Sequence, residues 1–316
     1  MEIGGYLGLE SFESNSYYPN LYALNLARTT LVYLLSALKC KSIFVPYYLC
    51  DSVTNRLETE GILLTYYHLD DNLMPVMQTP LPKDSYILLV NHYGQLTDEK
   101  ILTLQDKYTR IIVDHTQSFY QRPLAGVPTF YSVRKFFGVS DGAYLSTDID
   151  LPALQQQDIS KDRMGHILGR FEENAAKHYT TLHDVVGTFS DEPIKKMSRL
   201  TQNILGAIDY QKVRDKRNEN YQLLATMLNE HNPLNFIVPD APFAYPFLCL
   251  DGDKFRRALA KHKIYVPTCW NNVIDNLAKN TIEYQYAANI LVLPIDQRYG
   301  KSEMQTLADT LLTLLK

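Results

Sequence analysis

The sequence predicts an α/β fold, in which helices sandwich a mostly parallel sheet and a smaller α/β domain follows toward the C-terminus. Short runs rich in Ile, Leu, Val and Tyr alternate with amphipathic segments in the first half. After about residue 148 the chain becomes polar and mostly helical, and strand-like runs return in the last quarter. A length of 316 residues is sufficient for about two domains.

The first half contains six strand-like runs, and helical patterns accompany the first four. The predicted strands are Ser42–Pro46, Ile62–His68, Tyr86–Asn91, Arg110–Asp114, Thr129–Val133 and Ala143–Thr147. The predicted helices are Ala27–Leu38, Asp51–Glu60 and Thr97–Tyr108. This alternation is typical of parallel strands joined by helices. Ligands of such sheets bind beyond the carboxyl ends of the strands, so the residues that follow each strand are the candidates for chemistry.

The second half is predicted to contain a helical connection followed by the smaller domain. A helical stretch runs to about Leu228 and is interrupted at Pro193. Strands, helices and a closing helix follow at Tyr245–Leu250 (strand), Asp253–Lys263 (helix), Ile264–Pro267 (strand), Asn289–Leu293 (strand) and Ser302–Leu315 (helix). We predict a large domain with an N-terminal arm over residues 1–190, and a helical connection and small domain over residues 191–316.

Composition excludes several classes of protein. The net charge of −4 is spread along the chain, so there is no basic surface for nucleic acid or for a membrane. No apolar run approaches the ~20 residues that span a bilayer. The four cysteines form no C-x-x-C pair and the histidines form no H-x-x-x-H pair, which argues against a metal site. The scattered cysteines fit a reducing cytosol, so we expect a cytoplasmic protein.

Two residues at predicted strand ends suggest a shared site. Asp114 ends the strand Arg110–Asp114, and Lys135 follows the strand that begins at Thr129. Phe136 and Phe137 next to the lysine predict partial desolvation, which would favour the free amine that Schiff-base chemistry needs. A carboxylate that faces a pyridine nitrogen keeps this nitrogen protonated. The pair is therefore compatible with pyridoxal phosphate (PLP), although a turn-capping aspartate and a solvated lysine would satisfy the same pattern.

Six segments in order resemble one family of enzymes. They are Leu26–Leu31 (family S-G-T-x-A-L), Val45–Cys50 (V-P-x-x-T-x), His92–Gln95 (H-x-Y-G-Q), Val113–Ser118 (E-D-A-A-Q/H-A), Ser132 with Lys135–Gly142 (S-F-x-x-x-K-x-x-x-x-x-G-G) and Leu293–Gly300 (L-P-I-H/D-x-R). Together they resemble the DegT/DnrJ/StrS sugar aminotransferases, which are PLP enzymes of fold type I. The resemblance implies that fold, with the cofactor in the large domain.

The resemblance also implies roles for the residues at the two strand ends. Lys135 would bind the cofactor covalently and then move the proton between the substrate carbon and the cofactor. Asp114 would pair with the pyridine nitrogen. Gln117 would contact the ring or its 3-oxygen. The family position that usually holds an aromatic residue stacked on the ring corresponds to Cys50 or, with a shift, to Tyr48, and the sequence does not decide between them.

Four further residues would bind the cofactor's phosphate. Arg28 and Thr29 would offer backbone N–H groups and a hydroxyl at a helix N-terminus. Ser132 would add a contact, and Ser198 would reach the phosphate from the partner subunit of a homodimer. The family's glycine and a threonine are absent from Leu26-Ala27-Arg28, and Ser132 stands three residues before Lys135 where the family commonly has five.

The function that the resemblance implies is transfer of an amino group from an amino acid to a nucleotide-linked keto sugar, for polysaccharide or glycan precursors. One alternative is a PLP-dependent sugar dehydratase, but in those relatives a histidine replaces the lysine that is retained here as Lys135. The other alternative is a non-catalytic binder of PLP or of a sugar nucleotide on a degenerate aminotransferase fold.

Overall fold

A computed structural model describes residues 3–12, 16–82 and 84–316, and in them a central sheet of eight strands. The order across the sheet is β1-β8-β7-β6-β5-β2-β3-β4. Strands β3, β2, β5, β6 and β7 run parallel, whereas β8, β1 and β4 pair antiparallel with their neighbours. The strands are β1 Tyr22–Leu24, β2 Ser42–Pro46, β3 Leu63–Leu69, β4 Pro75–Val76, β5 Tyr86–Val90, β6 Ile111–Asp114, β7 Thr129–Ser132 and β8 Ala143–Ser146.

Helices cover both faces of this sheet, as the alternation predicted. In the first half they are α1 Ala27–Ala37, α2 Asp51–Thr59 and α3 Asp98–Tyr108. Leu31 and Leu34 of α1 share an apolar cluster with Ile43 of β2. On the opposite face, Phe44 of β2 shares a second cluster with Ile101 of α3. Successive side chains of a strand point to opposite faces, so each strand of the middle contributes to both layers.

The second half adds helices and a small antiparallel sheet. The helices are α4 Gly165–Glu172, α5 Tyr179–Gly187, α6 Arg199–Gly206, α7 Tyr210–Leu228, α8 Gly252–Lys261, α9 Asn271–Asn276, α10 Ile282–Asn289 and α11 Lys301–Leu315. Strands β9 (Tyr245–Leu248) and β10 (Ile290–Leu293) pair with each other. They share an apolar cluster with α7, α8 and α11 that is separate from the clusters on the central sheet. The division into domains at residue 190 stays a prediction.

The predicted α/β architecture is confirmed, with three local differences. The predicted strand Ile264–Pro267 is irregular backbone. The short strands β1 and β4 and the helices α9 and α10 were not predicted. Among the described residues, no helix combines the length and the apolarity needed to cross a membrane.

Candidate active site

The candidate site lies where three adjacent parallel strands end. Strand β5 leads into the turn His92–Gly94, β6 ends at Asp114, and β7 leads into the turn Val133–Lys135. Val90 is paired with Asp114 across β5 and β6, and Asp114 is paired with Phe130 across β6 and β7. The carboxyl ends of these strands therefore meet at one edge of the sheet, where α/β folds bind their ligands.

Asp114 is a buried carboxyl group with few partners. Its side chain is only 5% exposed, and its Oδ1 accepts a hydrogen bond from the backbone N–H of Thr116 at 2.7 Å. Burial raises the pKa of Asp114 to about 6, against the lowering effect of the Thr116 hydrogen bonds and of the Lys135 charge. The charge of Lys135 is thus near enough to Asp114 to act on its carboxyl group. A cation placed at this carboxylate would be stabilised.

Lys135 is exposed, so the expectation of partial desolvation was wrong. The neighbouring rings turn away from it: Phe136 is 2% exposed and Phe137 is 5% exposed. Both pack in an apolar cluster with Phe119, at centroid distances of 5.6 Å and 5.0 Å. The tight turn Val133–Lys135 separates the lysine from the rings that follow it. The amine of Lys135 is therefore accessible to a ligand.

Gln117 lies in the same region and is buried. Its Oε1 accepts a hydrogen bond from the backbone N–H of Tyr93 at 2.8 Å. Tyr93 has a left-handed backbone with φ of 53°, which is uncommon for residues other than glycine. Gln117 thus stabilises the turn after β5. Among the described residues its amide nitrogen donates no hydrogen bond, so this donor is available to a ligand.

The start of α1 supplies donors, but not the hydroxyl that was expected. The Thr29 hydroxyl is 0% exposed and donates to Asn25 Oδ1 at 2.8 Å and to the Leu26 carbonyl at 2.9 Å. The phosphate contact of this side chain stays a prediction, and the use of its hydrogen inside the chain does not favour it. Arg28 is half-buried, and burial lowers its pKa. Ser132 ends β7 and is 8% exposed.

Ser198 also has a different role from the one expected. It is the N-cap of α6, where its hydroxyl accepts a hydrogen bond from the Thr201 N–H at 3.1 Å. The same hydroxyl donates to Asp141 Oδ1 at 2.7 Å and lies 2.7 Å from the Ser160 hydroxyl. The side chain is 1% exposed. The predicted contact with a phosphate of the partner subunit does not fit this closed network.

The aromatic residues near the site form a packed group. Tyr48 is 1% exposed, and its hydroxyl lies 2.9 Å from that of Tyr93. Its ring packs against His92 at 4.9 Å and against Trp270 at 5.1 Å. Cys50 is half-buried and precedes α2 as its N-cap. The ring of Tyr48 is buried and Cys50 has no ring. The choice between the two positions for a stacking residue therefore stays open.

Sequence reasoning missed two side chains, Arg217 and Gln297, that hold the backbone of Phe136 next to Lys135; we call this pair the clamp. Arg217 of α7 is 1% exposed and donates to the carbonyls of Phe136 (3.4 Å) and Pro242 (3.0 Å). Gln297 Nε2 donates to the same Phe136 carbonyl at 2.7 Å. The polar pattern of α7 does not single out Arg217, because spacing alone does not reveal a charged residue that points inward. The clamp connects the second half of the chain to the turn that carries Lys135.

Comparison with known proteins gives no match in sequence. No protein-family model matches the chain, and no curated protein matches it. Any likeness therefore has to be sought in the fold.

Solved structures do match. The sugar aminotransferase CalS13 from Micromonospora echinospora is 14% identical, with a TM-score of 0.65 over 93% of this chain and 87% of that one. A DegT/DnrJ/EryC1/StrS aminotransferase from Brucella abortus is 12% identical, with a TM-score of 0.63 over 93% and 85%. NtdA from Bacillus subtilis, solved with bound cofactor PMP, is 14% identical, with a TM-score of 0.66 over 93% and 72%. The chain therefore has the fold of the DegT/DnrJ/EryC1/StrS sugar aminotransferases, as the resemblance in its sequence implied.

Proposed function

We propose that this chain is a PLP-dependent aminotransferase that transfers an amino group from an amino acid to a keto sugar. The observation that carries the proposal is the pair Asp114 and Lys135 at neighbouring strand ends in this fold. Two of the three similar structures described above are named aminotransferases, one of them a sugar aminotransferase, and the third holds the cofactor PMP. The likeness supports the proposal through the fold.

The polar groups at the sheet edge fit the chemical groups of PLP. The buried carboxyl of Asp114 accepts few hydrogen bonds and would be stabilised by a protonated ring nitrogen. Lys135 offers an accessible amine, and Gln117 an amide N–H. Arg28 at the start of α1 and Ser132 at the end of β7 suit a phosphate. Thr29 contributes only its backbone N–H.

Bound PLP supplies an electron sink that stabilises negative charge on a substrate carbon. Lys135 would hold the cofactor through its Nζ atom and, once released, would take a proton from the substrate carbon and return it. Asp114 would keep the ring nitrogen protonated. Burial raises the pKa of Asp114 to about 6 in the cofactor-free chain, and a protonated ring nitrogen beside the carboxylate would lower it again.

The finer parts of the proposal rest on the resemblance in sequence. They are a nucleotide-linked keto sugar as acceptor, glutamate as the first donor to test, and a place in the synthesis of polysaccharide precursors. A cytoplasmic homodimer also belongs to the proposal. Because Ser198 is closed within its own chain, any contact of the partner subunit with the phosphate would involve other residues.

Absorbance and amine transfer test the proposal. Wild type with PLP should show the absorbance band of a PLP–lysine adduct. It should also transfer the amino group of glutamate to a keto sugar nucleotide. Lys135→Ala should lose both. Lys212→Ala, which removes an exposed lysine of α7, is the matched control and should retain both. A wild-type protein that takes up no PLP would contradict the proposal and would favour a non-catalytic binder.

A further inference from the structure

Arg134 occupies an unusual position between Ser132 and Lys135. Its guanidinium carbon lies 4.2 Å from the centroid of the Phe189 ring. Phe189 is 0% exposed and packs in a cluster with Leu26. Leu26 is the N-cap of α1. One buried ring thus connects the guanidinium of Arg134, which follows β7, to the N-terminus of α1.

The N-terminus of α1 carries unused donors and a second arginine. Leu26 provides no side-chain cap, and Thr30 is the first residue whose N–H bonds back to the Leu26 carbonyl, at 2.9 Å. Within the described part of the chain, no hydrogen bond satisfies the backbone N–H of Arg28 or of Thr29. Arg28 is the second residue of this helix. Free N–H groups at a helix N-terminus attract anions.

Neither arginine has a side-chain contact with an acidic residue. Among the described residues, no salt bridge or side-chain hydrogen bond involves Arg28 or Arg134. Arg163 lies on the same Phe189 ring, at 5.5 Å, but is paired with Glu192 at 3.2 Å and with Asp158. The contrast shows that the surroundings satisfy one arginine of the stack and leave the other available.

The charge of Arg28 also acts on Arg134. Burial lowers the pKa of Arg134 to about 10, and the charge of Arg28 is the next largest cause of this lowering. Burial likewise lowers the pKa of Arg28. Two half-buried cations near each other repel; Asp141 offsets part of the Arg134 charge and Asp51 part of the Arg28 charge, and a dianion between the two guanidinium groups would relieve the remaining repulsion. Guanidinium groups bind phosphate through two hydrogen bonds at once.

We propose that Arg28 and Arg134, with the backbone N–H groups that begin α1, form a binding site for a phosphate monoester. The inference rests on the proposed function, in which this group is the phosphate of the cofactor. It explains how a segment without the family's glycine, and with the Thr29 hydroxyl already used, binds a phosphate: two arginines take over as donors. Arg134 then fixes the phosphate directly beside the lysine that holds the ring.

Binding to the PLP-free protein tests the site without any need for activity. Titrations with PLP, pyridoxal, inorganic phosphate and UDP are compared for wild type, Arg134→Gln, Arg134→Lys and Arg28→Gln. Arg122→Gln is the control, because Arg122 also stacks on an aromatic ring, that of Tyr17 at 3.9 Å. Arg134→Gln should weaken PLP binding by about 10- to 100-fold and leave pyridoxal binding unchanged. Arg134→Lys should retain part of the affinity and shows that the fold survives.

The other outcomes separate the explanations. Unchanged PLP affinity in Arg134→Gln and Arg28→Gln would overturn the site. Equal weakening of PLP and pyridoxal would also overturn it, because Arg134 would then act on the lysine and not on the phosphate. A loss confined to UDP would assign the arginines to a substrate phosphate and contradict the cofactor assignment. If wild type takes up no PLP, the proposed function fails. The phosphate site is then judged by inorganic phosphate: weaker binding in Arg134→Gln than in wild type supports the site, and equal binding overturns it.

Discussion

The buried carboxyl of Asp114 should make the PLP-free protein less stable at neutral pH than it would be with an amide there. Its pKa is raised from 3.8 to about 6, with burial as the main cause. The contribution of such a group to stability is fully present below its unfolded pKa of 3.8 and is lost as the pH rises through about 6. Asp114→Asn removes the charge and keeps an oxygen that can accept the hydrogen bond from Thr116.

The magnitude follows from the shift in pKa. A difference of about two units costs about 3 kcal/mol once the carboxyl is ionised in both states. At pH 5 the cost is about 1.6 kcal/mol, and at pH 8 it is about 3 kcal/mol. Asp114→Asn should therefore gain about 1.4 kcal/mol of stability over wild type between pH 5 and pH 8.

Denaturant unfolding of the PLP-free proteins at pH 5, 6, 7 and 8 measures this difference. Asp150→Asn, at an exposed carboxylate, is the control and should show a difference that is small and independent of pH. A stability difference between Asp114→Asn and wild type that stays constant, or shrinks, as the pH rises would refute the reasoning. In the same variant the affinity for PLP should fall, because the ring nitrogen loses its anionic partner. Greater stability together with weaker cofactor binding would identify Asp114 as a functional residue that is retained at a cost to stability.

Two further predictions concern the framework of the site. Arg217→Met should lower the free energy of unfolding by about 3 kcal/mol, because buried carbonyl groups lose their charged donor, whereas Arg257→Met on the exposed face of α8 should change it little. Denaturant unfolding measures both, and equal small effects would contradict the clamp. Gly142→Ala should cost about 3 kcal/mol, because φ is +118° and a Cβ would lie 2.3 Å from Val133 Cγ2. Gly126→Ala, with φ of +75° and open space around it, should cost only about 1 kcal/mol, and a loss as large as that of Gly142→Ala would contradict the steric argument.

Most of the central sheet could be predicted from the sequence because its strands are continuous apolar runs. Strand β6, Ile111–Asp114, is an example: its apolar residues are buried on both faces, as parallel strands require. Strand β4 has two residues and β1 has three, too few for a pattern to appear. The run Ile264–Pro267 has strand-like composition but no partner strand, and composition cannot supply the partner.

The site was only partly predictable, because spacing along the chain does not show how side chains are used. Asp114 was placed correctly at a strand end, since strand ends follow from hydrophobic patterning. Thr29 and Ser198 were expected to bind phosphate, but their hydroxyls are used by neighbouring oxygens that only the folded chain brings near. In the sequence, Arg134 is only a positive charge next to Lys135. Its stacking on Phe189 joins residues 55 positions apart, which no local pattern reveals.

The attachment site of the cofactor tests the central claim most directly. Wild-type protein is incubated with PLP, reduced with borohydride, digested, and its peptides are sequenced by mass spectrometry. We expect the reduced pyridoxyl group on Lys135, in a fraction of molecules that approaches completion, and no comparable modification of the exposed control Lys212. Modification at another lysine, scattered modification of many lysines, or none at all would contradict the proposal that Lys135 and Asp114 are the two ends of one PLP site.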